Sequence, residues 1–149
     1  MTPNELQRYL YEEIPLSRAM AVRVLSVDPT GVVLEAPLEP NINQHHSVFG
    51  GSASALAMLA SWTLLYARLR ADEFLGNLLI QRNSMEFKRP IVGRFTAHAA
   101  LEQPQRWQHF IGTLQRRGKA RVAVGALLQQ QGGIAARFSG EFVALNAHS

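Results

Sequence analysis

From Pro40 to Ala67 the chain holds no Asp, Glu, Lys or Arg. The segment begins as a loop of amides and imidazoles, Asn41-Ile42-Asn43-Gln44-His45-His46-Ser47-Val48-Phe49, and passes through Gly50-Gly51 into Ser52-Ala53-Ser54-Ala55-Leu56-Ala57-Met58-Leu59-Ala60-Ser61-Trp62. A helix starting at the double glycine presents backbone N-H groups that no earlier turn can accept, and glycines let a ligand approach them. Such a terminus stabilises an oxygen that gains negative charge. The residues therefore place an oxyanion site and keep charged catalysts away from it.

The side chains around that site each have a structural and a chemical reading. An Asn in a loop is commonly a turn residue bonded to its own backbone, and Asn41 and Asn43 both read that way. Either carboxamide also offers a donor and an acceptor without charge. His45 and His46 invite a metal or general-base role, but adjacent loop residues point to different sides and no carboxylate nearby orients either ring. A metal needs three or four ligands, so no metal is expected, and His46 is at most a polar contributor to the site. Ser54 and Ser61 read as small packing residues with hydroxyls bonded to the preceding turn, whereas Ser52 lies in the first turn beside the oxyanion site. Further on, Asn83 and Met85 share one face of a strand and Ser84 and Glu86 the other. Alternation leaves open which face is inward, and Glu86 reads either as the partner of a basic residue or as an acid.

Two basic clusters stand apart, Lys88-Arg89 and Arg116-Arg117-Gly118-Lys119-Ala120-Arg121. From Phe74 onward ten Lys or Arg face only Glu86, Glu102 and Glu141, within a net charge of +4. This is either a solvated rim or a surface for an acidic partner. Nucleic acid fits poorly, because no stacking aromatics are interleaved with the charges. Phosphopantetheine phosphates, a coenzyme A nucleotide or an acidic carrier protein fit better.

Thr2-Pro3-Asn4-Glu5 predicts a capped helix with an apolar stripe of Leu6, Tyr9 and Leu10, ended by Pro15. Strands are expected over 19–27 and 32–36, joined by the Asp28-Pro29-Thr30-Gly31 turn. The central apolar helix follows, then strands over 77–88 and 94–101. Trp107, Phe110, Ile111 and Leu114 repeat at helical spacing within a helix over 104–117 that Gly118 stops. Strands over 119–130 and 134–145 meet at Gln131-Gly132-Gly133.

With 149 residues, 47% hydrophobic composition and no cysteine, one core is expected and disulfides or thiolate chemistry are excluded. The uncharged apolar part of the central helix, 51–67, falls short of the ~20 residues of a membrane span. The start of the chain lacks the basic and apolar regions of a targeting segment, so a cytoplasmic protein is expected. A helix apolar all round must be wrapped, and about six strands in meander order predict an α+β fold: an antiparallel sheet curled around a long buried helix, with short extra helices at the N-terminus and at 104–117.

The Asn-rich loop leading to Phe49-Gly50-Gly51, with Ser84-Met85-Glu86-Phe87-Lys88-Arg89-Pro90 closing the next strand, resembles the motifs of hotdog-fold domains over almost the whole chain. Pro40-Asn41-Ile42-Asn43 through Phe49-Gly50-Gly51-Ser52 resembles a narrower group of thioesterase-like proteins, also found fused behind an acetyltransferase-like domain, with members that are malonyl-acyl carrier protein decarboxylases. The resemblance implies one hotdog domain over 1–149, at least a homodimer with sites at the seam, and no cofactor. It implies that Gly51 N-H donates to the thioester carbonyl and that Asn43 orients a carboxylate or thioester oxygen. Asn41 is then left to loop structure, with Phe49, Gly50, Ser52, His46, Asn83 and Ser84 as substrate contacts.

Hotdog thioesterases commonly carry an acid about two turns after the double glycine, where this chain reads Ala55-Leu56-Ala57-Met58-Leu59-Ala60. Decarboxylation of a malonyl thioester requires a polarised carbonyl and an oriented carboxylate but no base. The expected activity is therefore malonyl-acyl carrier protein decarboxylation. Acyl-CoA or acyl-carrier thioester hydrolysis and non-catalytic acyl binding are the alternatives, and Lys88, Arg89, Arg116, Arg117, Lys119 and Arg121 are the candidate carrier contacts.

Overall fold

The computed structural model describes residues 1–147, so the last two residues of the expected domain lie outside it. Helix α1 (Pro3–Glu13) opens with the expected capping box: Thr2 Oγ1 accepts from Glu5 N at 3.1 Å and Glu5 Oε1 accepts from Thr2 N at 3.2 Å. Pro15 does not only end that helix; it sits at the first position of a short second one, α2 (Pro15–Ala19). Strand β1 (Arg23–Asp28) accordingly starts four residues later than expected, and β2 (Gly31–Ala36) pairs with it across a turn in which Asp28 Oδ1 accepts from the amides of Thr30 and Gly31. The central helix is α3 (Gly50–Ala71), followed by β3 (Gly76–Phe87), β4 (Phe95–Leu101), α4 (Trp107–Arg117), β5 (Lys119–Gln130) and β6 (Gly133–Asn146). Gly118 ends α4 in the left-handed region (φ 72°), where its lack of a Cβ removes the usual cost.

All six strands form one antiparallel sheet in the order β1-β2-β4-β5-β6-β3, with α3 packed on it. The expected meander therefore holds only for β4, β5 and β6; β3 leaves α3 and runs along the far edge beside β6. Leu56, Ala57, Ala60, Leu64 and Leu65 of α3 are fully buried against inward-facing Leu34, Ala97, Val124, Leu128 and Phe142. Ser61 and Thr63 return their hydroxyls to Ala57 O and Leu59 O, which is what lets polar residues sit inside this core.

Wrapping of α3 within the single chain is incomplete. Ala55, Met58, Trp62 and Tyr66 form a stripe that remains half-buried. Trp62 Nε1 reaches Leu78 O on β3 at 3.4 Å, and Tyr9 of α1 stacks on Trp62 and Tyr66 with ring centroids 6.1 and 4.7 Å away. Burial, with neighbouring Tyr66, pushes the Tyr9 phenol up to about 12. Among the described residues no helix is long and apolar enough to cross a membrane.

Candidate functional site at the start of the central helix

The loop before α3 is held by its own amides. Asn43 Oδ1 accepts from His45 N at 2.8 Å, Ser47 N at 3.1 Å and Ser47 Oγ at 3.2 Å, while its Nδ2 donates to Ser47 Oγ at 3.0 Å and more weakly to Val48 O at 3.4 Å. The turn reading of Asn43 is thus realised in this structure. Asn41 is 1% exposed, and its Nδ2 donates to Met20 O and Pro37 O, clamping the loop to the end of α2 as its assignment to loop structure expects. Phe49 N donates back to Asn41 O, Val48 N donates to Ile91 O, and Ile42 pairs with Val48. These bonds close the loop and aim the chain into α3.

The first intrahelical donor of α3 is Ala53 N, which bonds Phe49 O at 3.1 Å, and no side chain caps the terminus. Among the described residues the amides of Gly50, Gly51 and Ser52 are therefore left with no acceptor, at the positive end of a 22-residue helix with no acid in its first turn. The ring of Phe49, 57% exposed, lies where a Cβ on Gly51 would stand, and Phe87 at the end of β3 comes within 3.6 Å of where one on Gly50 would be. A cleft of about 400 Å³ opens beside this turn, lined by Ser47, Val48, Ala53, Phe87, Lys88 and Arg89.

Cross-strand pairs share a face of the sheet, so register settles what alternation left open. Met85 is opposite buried Phe138 and Phe87 opposite buried Ala136, placing Asn83, Met85 and Phe87 on the α3 side. Ser84 is opposite Ser139 and Glu86 opposite Arg137, on the outer face. Ser84 is therefore not brought to the Gly51 amides by its own chain. Glu86 is ion-paired with Lys88, whose ammonium holds the carboxyl below its ordinary value, so it stays ionised and is no acid for the site. His46 is an exposed turn residue with φ 63°. Among the described residues no group of three or more His, Cys, Asp or Glu could hold a metal ion.

The basic candidates do not form one rim. Arg89 folds over Gly133 and donates to Gln130 O, so with Lys88 it borders the cleft beside α3. Arg121 is spent on the outer face, donating to Gln81 Oε1 at 2.8 Å. Lys119 is opposite Leu145, which is opposite Asn77, so it lies level with the beginning of β3; ten strand positions, ~33 Å, separate Asn77 from Phe87. Arg116 and Arg117 end α4 just before it.

A larger cleft, about 600 Å³, lies elsewhere, on the outer face between Ser84, His98, Glu102, Arg137 and Ser139. Within it Ser139 Oγ donates to Glu102 Oε1 at 2.5 Å, and His98 Nε2 is 3.0 Å from Oγ1 of Thr96 on its own strand. Sequence reasoning missed Phe87, which forms one wall of the α3 cleft; its place before the Lys88-Arg89-Pro90 strand end is the signal that could have found it.

One antiparallel sheet around a long helix whose N-terminal amides stand free defines a hotdog-fold domain of the thioesterase kind. The chain belongs to the YiiD_C putative thioesterase family, whose model matches residues 3–146. Solved structures agree. A protein of unknown function from Chlorobaculum tepidum is 26% identical, with 97% of each chain covered and a TM-score of 0.89. A putative thioesterase from Shewanella oneidensis is 25% identical over 96% of each chain with a TM-score of 0.86. A probable thioesterase from Pseudomonas aeruginosa is 25% identical over 97% of this chain and 96% of its own, with a TM-score of 0.79.

Proposed function

We propose that this chain acts on acyl thioesters at the N-terminus of α3, and that its reaction is decarboxylation of a malonyl group carried on acyl carrier protein. The observation that carries the proposal is the uncapped α3 terminus in a helix with no carboxylate from Gly50 to Ala71. The thioester oxygen accepts from the Gly51 amide, with Gly50 and Ser52 beside it, and each such donor is worth ~2.7–4 kcal/mol where charge develops. The bond between the malonyl carboxyl carbon and the methylene breaks, its electron pair passes into the thioester enolate, and carbon dioxide leaves. A solvent proton then adds to the methylene carbon to give the acetyl thioester.

No base is needed, and an acid on α3 would repel the malonyl carboxylate. Asn43 contributes by fixing the loop that presents the amides and by keeping that loop uncharged, while Asn83 on the α3 side of β3 is the polar group free to meet substrate. The unpaired edge of β3 and the half-buried stripe of α3 both support a homodimer closed across β3.

Hydrolysis of an acyl thioester is the second reading, favoured by the names thioesterase given to the Shewanella and Pseudomonas relatives. Incubation with malonyl-carrier protein and product analysis decides. Acetyl-carrier protein with carbon dioxide is expected. Free malonate with free thiol would establish hydrolysis instead, and recovery of unchanged substrate would leave an acyl-binding module.

A further inference from the structure

From Gly50 to Ala67 helix α3 supplies no charge, so a group that reads a charged acyl chain must come from across the cleft, where Lys88 and Arg89 line it. Lys88 is turned away: its ammonium is paired with Glu86, which the register puts on the outer face. Among the described residues Arg89 is in no ion pair, and it spends one donor on Gln130 O at 3.4 Å. A guanidinium has five N-H donors in a planar fork, so enough remain to meet a carboxylate with two bonds.

The β5–β6 hairpin holds this cation in place. The Arg89 guanidinium lies where a Cβ on Gly133 would stand, so the missing side chain is the seat in which it rests. Gln130, 8% exposed, fastens the same segment twice: its carbonyl accepts from Arg89, and its Oε1 accepts from Val92 N at 3.0 Å. Ala135 O accepts from the amides of Lys88 and Arg89 at 2.8 and 3.2 Å. On the other side Ile91 O accepts from Val48 N at 2.8 Å, one residue before Phe49. The 88–92 segment is thus strapped between the hairpin and the loop that presents the α3 amides, which fixes the cation relative to the oxyanion site.

We infer that Arg89 selects acyl thioesters whose acyl group ends in a carboxylate, and that Gly133 and Gln130 are the residues that position it. The inference rests on the proposed thioester site at Gly51 and adds the residue that reads the acyl group. Such a substrate offers a guanidinium two anions, the acyl carboxylate and the phosphate of the pantetheine arm. A cleft of about 400 Å³ that also contains Ala53 of the first α3 turn favours the carboxylate. A malonyl carboxylate is two bonds from the thioester carbonyl, whereas the phosphate is the whole length of the arm away. Carbon dioxide leaves neutral, so the attraction to Arg89 is strongest before the bond breaks, and its loss is read in KM rather than in kcat.

The test uses unreactive pantetheine amides, in which nitrogen replaces the thioester sulfur, made with and without the phosphate of the arm. The malonyl amide and its uncharged isostere, the 3-methylbutyryl amide, are titrated by calorimetry against wild type, Arg89→Gln, Gly133→Ala and the double variant. Gly133 lies outside the left-handed region, so Ala there strains no backbone and displaces only the flexible end of Arg89; matching melting temperatures check this. Wild type should prefer the malonyl amide by roughly tenfold or more, as a charge-assisted pair implies. Either single variant should lose that preference, and the double variant should lose no more. With malonyl thioester, Gly133→Ala should raise KM about tenfold and hold kcat. A fall in kcat as large as the rise in KM overturns the inference in favour of a loosened loop. Retention of the malonyl preference in Arg89→Gln overturns it outright, and retention in Gly133→Ala alone overturns the part given to the hairpin. A loss confined to the phosphorylated amides, whatever their acyl group, overturns it in favour of phosphate recognition. Wild type that binds both acyl amides equally overturns the inference and leaves the thioester site standing, whereas wild type that binds neither overturns the thioester site as well.

Discussion

Asn43 can act on the substrate or only on the loop, and its bonds allow the two roles to be separated by substitution. Ala at 43 removes the acceptor for His45 N and Ser47 N, so we expect a loss of about 2 kcal/mol in unfolding free energy and a fall in turnover of about a hundredfold as the α3 amides lose their aim. Asp at 43 keeps that acceptor, and its melting temperature should stay near wild type. Its added charge should nevertheless suppress malonyl decarboxylation at least as strongly as Ala does. Unchanged malonyl turnover in Asn43→Asp would reduce the residue to a turn. Gly51 gives the complementary case. A Cβ there meets the Phe49 ring, which is exposed enough to swing aside, so Gly51→Val should fold while losing on the order of 100- to 1000-fold in thioester turnover. A folded, fully active Gly51→Val protein would move the site elsewhere.

At the scale of elements, the outer face of the sheet answers to pH. His98 projects from β4 into the outer cleft, and burial holds its imidazole below the ordinary value of 6.5. Thr96 on the same strand bonds it, and Glu102 and Arg137 line the same cleft. With the folded value depressed, the unfolded chain binds the extra proton first as pH falls through 6.5, so stability is full above that value and declines below it. Melting curves from pH 7.5 to 5 should show a steeper decline for wild type than for His98→Gln. Parallel curves would mean that His98 titrates as it does in the unfolded chain. The same element logic explains why Pro15 opens a helix as well as ending one: proline lacks the N-H that a first helical position has no use for, and Ile14 N still bonds Leu10 O as the cap of α1.

For the whole molecule, the +4 charge and its gathering in the second half concern encounter rather than fold. Turnover of an acidic malonyl-carrier protein should slow between low and high salt, as screening shortens toward ~8 Å near physiological ionic strength. Malonyl-pantetheine lacks the carrier and should respond little. Equal salt dependence of both substrates would return the cations to a solvated rim. The measurement is initial rate against ionic strength at substrate concentrations below KM.

The elements of this protein were legible in its sequence because local chemistry decides them: Thr2 and Glu5 cap α1, Gly118 stops α4, and the charge-free run after Gly50 makes a helix that only a sheet can cover. A sheet curled around that helix followed from the helix and the strands near it, the hotdog class from the resemblance of the loop and strand-end motifs, and the free amides from the double glycine. What residues distant in sequence do to one another was not legible. Alternation along 77–88 is the same whichever face is inward, and only pairing with β6 turned Asn83 toward α3 and Ser84 away from it. The place of β3 at the sheet edge depends on how the chain returns from α3, which no local pattern encodes. Asn43 offered the same carboxamide to a substrate or to its own loop, and the hydrogen bonds of the folded turn engaged it in the loop. The two basic clusters could have shared one rim as far as the chain shows; the sheet register sets Lys88 and Lys119 at opposite ends, because ten positions of a strand span ~33 Å.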